Sequence, residues 1–113
     1  MNSLMTVDLA HCSLTGADPE ALLDESLKKI RHSENLHVLK VIHGSEREGR
    51  GGGLKSLVTN WVRKNRKKII SSIDGAELSS TNPHVQVLLA ECGFSGQKDF
   101  DAPDKGVTIV WVT

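Results

Sequence analysis

The sequence predicts an α/β fold of two layers, a mixed four-stranded sheet with two main helices packed against it in the order β-α-β-α-β-β, and an extra short helix near residues 83–92. Three observations carry this expectation. Short runs rich in β-branched residues alternate along the chain with stretches whose apolar residues recur at helical spacing. The chain's 113 residues suffice for one hydrophobic core and not for two, so residues 1–113 read as a single domain. The last run, residues 106–113, is nearly apolar on both faces and belongs in the interior of a sheet.

Thr6, Val7, Asp8 and Leu9 make the first strand, with Asp8 near its end. A loop through His11 leads to Asp18-Pro19, where a helix begins: Asp18 caps, Pro19 has no N–H to waste in the first turn, and Glu20 faces the positive end of the dipole. Leu22, Leu23, Leu27 and Ile30 form its apolar face, Asp24 stands four residues before Lys28 as a helical ion pair, and the helix ends near Ser33. Residues 37–42 are a buried strand bounded by Gly44, which puts His43 at a strand end. Residues 45–53 form a loop with four glycines and two arginines. Beyond it Leu54, Leu57, Val58, Trp61 and Val62 fill the amphipathic helix template, so the second helix begins where the glycines stop. Residues 69–78 read either as a strand entering the Asp74-Gly75 turn or as an extension of that helix. Asn82-Pro83 opens the third helix, with Val85, Leu88, Leu89 and Cys92 on one side and Gly93 as the stop; residues 94–105 then read as an exposed loop.

Charge is balanced at 14 bases and 14 acids, but unevenly distributed: residues 36–73 hold nine bases against two acids. Cys12 and Cys92 are far apart with no CxxC and no second pair, so neither a disulfide framework nor a zinc site is indicated, which suits a reduced, cytoplasmic setting. No export signal and no window of eighteen apolar residues is present, so no membrane partner is expected. His32, His37 and His84 lie at no metal-ligand spacing and read as structural or surface residues.

The glycine-rich turn from strand to helix offers a backbone that a ligand can approach closely, and the helix N-terminus supplies unpaired N–H groups. With Gly44, Arg47, Arg50, Gly51, Gly52, Gly53 and Lys55 it makes a seat for a phosphate. Neither a P-loop nor G-x-G-x-x-G is present. After the second helix, Arg63, Lys64, Arg66, Lys67 and Lys68 put five bases in six positions, more than helix capping needs, and read as the electrostatic footprint of DNA, RNA or another polyanion. Only two Trp and two Phe are available for base stacking, and Trp61 suits the helix core better, so recognition through phosphate and shape is expected. Bland alternatives stay open beside these readings: a tight turn, a solvated charged face, a His43 that hydrogen-bonds at a strand end, an Asp8 that caps a turn.

Val7-Asp8-Leu9, then Val41-Ile42-His43-Gly44 running through the glycine-rich loop into Leu54-Lys55, then Gly106-Val107-Thr108-Ile109-Val110 together resemble the Smr (small MutS-related) domain. The motifs of that family read Asp-Leu-His-Gly, His-Gly-x-Gly-x-Gly and Gly-x-Thr-x-Val. The resemblance implies a compact α/β fold similar to the C-terminal domain of a bacterial translation initiation factor, and nicking endonuclease activity or binding on DNA or RNA. Carried over by position, Asp8 matches the aspartate and His43-Gly44 the start of the second motif. Ala10 stands where the first-motif histidine would be, with His11 one residue late, and residues 45–50 expand the second motif. On this footing His43 and His11 act as an acid–base pair, and Asp8 orients a histidine or carries a divalent metal ion. The alternatives are a non-catalytic module with an eroded site that docks on nucleic acid or a ribonucleoprotein, and a domain whose basic helix meets an acidic protein.

Overall fold

Residues 4–9, 18–44, 51–79, 81–92, 100 and 103–113 are described by a computed structural model of the chain. Among the described residues four strands and three α-helices form in the expected order: β1 Leu4–Asp8, α1 Pro19–Arg31, β2 Val38–Ile42, α2 Gly51–Lys64, β3 Ser71–Asp74, α3 Pro83–Cys92 and β4 Val107–Trp111. The sheet order is β1-β2-β4-β3. β1 runs parallel to β2, while β4 is antiparallel to both β2 and β3. The C-terminal ends of β1, β2 and β3 therefore share one edge of the sheet with the start of β4.

The two main helices lie on one face. Leu23, Leu27 and Ile30 of α1 and Val58 and Trp61 of α2 close a core with Leu39, Val41, Val110 and Val112. On the other face Val85 and Leu88 of α3 join Ile73, Leu78, Phe100, Val107 and Ile109. β4 thus buries alternate residues in two cores, which is why its sequence is apolar on both faces. Trp61 is 1% exposed, a core residue as expected.

Several local expectations need correction. α2 starts at Gly51, three residues before the apolar pattern, so Gly51, Gly52 and Gly53 form its first turn rather than the end of the loop. First-turn N–H groups have no intrahelical acceptor in any case, and the face fixed by Leu54, Val58 and Trp61 outweighs the poor helix propensity of glycine. Residues 69–78, ambiguous in period, resolve into β3 and a 3-10 turn, Gly75–Glu77, capped by the Asp74 carboxylate on Ala76 N–H. Asp24 does not pair with Lys28: its Oδ1 accepts the Trp61 indole N–H at 2.8 Å, and the ion pair that forms on α1 is Glu25–Lys29 at 3.4 Å. The buried indole N–H needs an acceptor more than an exposed ammonium does. Phe100, expected in an exposed loop, is fully buried, because a large apolar ring gains free energy on leaving water for the core. Among the described residues no helix is long and apolar enough to cross a membrane.

Candidate functional site

His43 follows β2 directly, and its N–H and that of Gly44 both donate to the Gly106 carbonyl, at 2.9 and 3.1 Å. The chain can then leave the sheet because Gly44 adopts φ 82°, a left-handed conformation that costs a non-glycine residue about 1–2 kcal/mol. The imidazole is fully buried. Its Nδ1 lies 3.0 Å from the Gly44 carbonyl oxygen, which can only accept, so Nδ1 carries the proton. Nε2 is then the acceptor for the Thr108 hydroxyl at 3.0 Å. Both ring nitrogens are occupied by protein groups.

Register explains the rest of this corner. Val41 pairs with Thr108, and Thr108 with Asp74, so Thr108 and Asp74 sit on the face covered by α1 and α2, where His43 also lies. From the first turns of α2, Lys55 reaches across with its Nζ 2.9 Å from Asp74 Oδ2. Partial burial by itself pushes the Asp74 carboxyl up, but the Ala76 N–H, the Lys55 ammonium and, less strongly, His43 outweigh it and hold the carboxyl below its ordinary 3.8. Gly75 follows because the backbone of residues 104–107 presses against it: a Cβ there would collide with the carbonyl oxygens of Asp104 and Val107. Asp104 N–H donates to the Gly75 carbonyl at 2.8 Å.

Asp8 ends β1 opposite Ile42. Since side chains alternate across a strand, Asp8 shares the face of Ile42 and points away from that of His43, one residue further on. The aspartate and the histidine that the resemblance links reach the same edge of the sheet from opposite faces. His11, Arg47 and Arg50 lie outside the described residues.

The basic stretch stands at the far end of α2. Lys55 and Lys64 are nine residues apart, roughly 14 Å along the axis and on opposite sides of the helix; Lys64 reaches Glu20 of α1 at 3.3 Å. Arg63, Arg66, Lys67 and Lys68 are exposed and pair with no carboxylate among the described residues. Asn65, which interrupts the bases, caps α2 by donating from Nδ2 to the Trp61 carbonyl at 2.9 Å. The cations expected to form one surface are therefore divided. Gly51, Gly52, Gly53 and Lys55 lie at the sheet edge with His43, and residues 63–68 at the opposite pole.

Among the described residues no group of three His, Cys, Asp or Glu side chains could hold a metal ion. Burial and neighbouring Glu91 push the Cys92 thiol up, away from a reactive thiolate. His37 and His84 make structural hydrogen bonds, to Thr113 and Ser71, each at 2.9 Å. Comparison with protein-family models, curated proteins and solved structures finds no match. Sequence reasoning missed Asp74 and Thr108. The available signal was that Asp74-Gly75 ends an apolar run just as Asp8 and His43 do, so a sheet with three parallel strands would bring all three to one edge.

Proposed function

We propose that this chain is, as its Smr-like motifs suggest, a nucleic-acid-binding domain, and that the charge of residues 63–68 makes them its docking surface for the phosphate backbone of DNA or RNA. The observation that carries the reading is the set of four exposed cations, Arg63, Arg66, Lys67 and Lys68, with no carboxylate partner among the described residues. A solvated cationic face binds a polyanion by releasing its counterions, a gain that falls steeply with salt. Labelled single-stranded and duplex oligonucleotides are expected to bind at low salt. Arg66→Gln/Lys67→Gln should lower the slope of log affinity against log salt by about 2. Affinity that ignores both salt and these substitutions would sink the proposal.

Docking without catalysis is the form of this function that the geometry supports best. An acid–base histidine needs a ring nitrogen within reach of the substrate, and those of His43 are taken by Gly44 and Thr108 in a buried site. A nicking activity is the second reading, favoured by the gathering of His43, Thr108, Asp74 and Lys55 at the sheet edge beside the first turn of α2. It is tested by incubating supercoiled DNA and structured RNA with the protein, with and without magnesium or manganese. Nicking abolished by His43→Ala would establish it; intact substrates under every condition would leave the docking module.

A further inference from the structure

We propose that the cleft between α1 and the turn after α2 seats a nucleotide of the bound strand, its phosphodiester held between Lys28 and Arg31 on one wall and Lys68 on the other. This rests on the nucleic-acid reading above and extends it from the basic stretch to a second helix.

The cleft has a volume of about 420 Å³ and is lined by Asp24, Leu27, Lys28, Arg31, His32 and Lys68. Lys28 and Arg31 are one turn apart on α1 and so project from one side of it. His32, the C-cap residue of α1, and Lys68, from the separate segment after α2, line the same cleft. Lys28, Arg31 and Lys68 are exposed and have no carboxylate partner among the described residues, unlike neighbouring Lys29, which Glu25 holds. Asp24 is the opposing charge, and its Oδ1 is already committed to the Trp61 N–H. The C-termini of α1 and α2 add roughly half a negative charge each, which still leaves about one net positive charge in the cleft and about three once Arg66 and Lys67 beside it are counted. These cations exceed what dipole capping consumes.

Two features select a nucleotide over a small free anion or an acidic side chain. The volume falls within the range of clefts that enclose small organic ligands, more room than a single tetrahedral ion fills. Buried Leu27 and exposed His32 both line the cleft, an aliphatic side chain and an imidazole of the kinds against which unstacked bases and sugars rest beside phosphate-binding cations. Cations facing each other from two segments also fit a strand that passes between them.

Lysine acetylation of the whole protein, read by mass spectrometry with and without a saturating single-stranded dodecamer, tests the site without any variant. The expected result is about threefold or greater protection of Lys28 and Lys68, with exposed Lys105, at the other end of the sheet, unchanged. In parallel, Lys28→Gln/Arg31→Gln should lose about tenfold in oligonucleotide affinity and about 1 in the salt slope, with its circular dichroism unchanged. Protection confined to residues 63–68 together with unaltered affinity of the double variant would overturn the proposal and leave the basic stretch as the docking surface. Absence of oligonucleotide binding at low salt would overturn both. If inorganic phosphate or pyrophosphate, at matched phosphate concentration, protected Lys28 as well as the dodecamer does, the cleft would be a small-anion site and the proposal would fall.

Discussion

Removing the imidazole of His43 would empty a fully enclosed space and strand two polar groups, the Gly44 carbonyl and the Thr108 hydroxyl. The cavity and the lost hydrogen bonds together predict that His43→Ala lowers stability by roughly 2–4 kcal/mol, measured by urea unfolding. Nucleic-acid affinity, assayed in the cold where the variant stays folded, should change by less than about twofold. A variant as stable as the parent would mean that the ring is not the structural pin described above. Sequence reasoning placed His43 correctly at a strand end and left two roles open there, a hydrogen-bonded structural ring and, on the resemblance, an acid–base group. A histidine beside a glycine reads the same whether its ring turns outward or inward, and only Thr108, 65 residues away, decides which.

At the scale of elements, α2 is the member through which the domain's parts communicate. Its first turns tie to β3 through Lys55 and Asp74, its buried face packs on the sheet through Val58, and Trp61 and Lys64 tie it to α1. Asp24→Ala would leave the Trp61 N–H buried without an acceptor, so a loss of about 1–3 kcal/mol is expected, with a shift in tryptophan fluorescence because the indole's surroundings change. Asp24→Asn, which keeps an acceptor oxygen, should recover most of it. The helices were legible because apolar spacing at 3.6 residues is a local property: α1 and α3 begin where Asp18-Pro19 and Asn82-Pro83 signal them. The start of α2 was misplaced because three glycines carry no side chain to register a period.

Across the whole molecule, the strand order brings the ends of β1, β2 and β3 to one edge while the C-termini of α1 and α2 occupy the opposite pole. That arrangement separates the Lys55–Asp74 corner from the exposed cations of residues 63–68 and predicts different responses to solution conditions. Asp74 is held below its ordinary 3.8 in the folded chain, so the unfolded chain takes up a proton first as acid is added. The stabilisation is thus fully present above pH 3.8 and is lost as pH falls through the lower folded value. Since the Lys55 and Asp74 side chains are 41% and 39% exposed, the contribution is small and screened by salt. Urea unfolding over a pH series should show the deficit of Asp74→Asn relative to the parent shrinking below pH 3.8, whereas a deficit independent of pH would assign Asp74 a packing role alone. Nucleic-acid affinity, governed from the other pole, should be unmoved by that substitution.

By itself the sequence determined the kinds of element outside residues 69–78, their order, the buried faces of α1 and α2, and the exposure of the basic stretch. Each follows from residue types within a window of a few turns: period, caps, and the cost of burying a charge. Tertiary structure alone decided the strand neighbours, and with them which side chains meet. Placing β4 between β2 and β3 brings Thr108 to His43 and Asp74 to Lys55, while the pleat turns Asp8 to the other face. Those contacts join residues up to 65 positions apart, and their free energy comes from pairing and packing that no local pattern encodes.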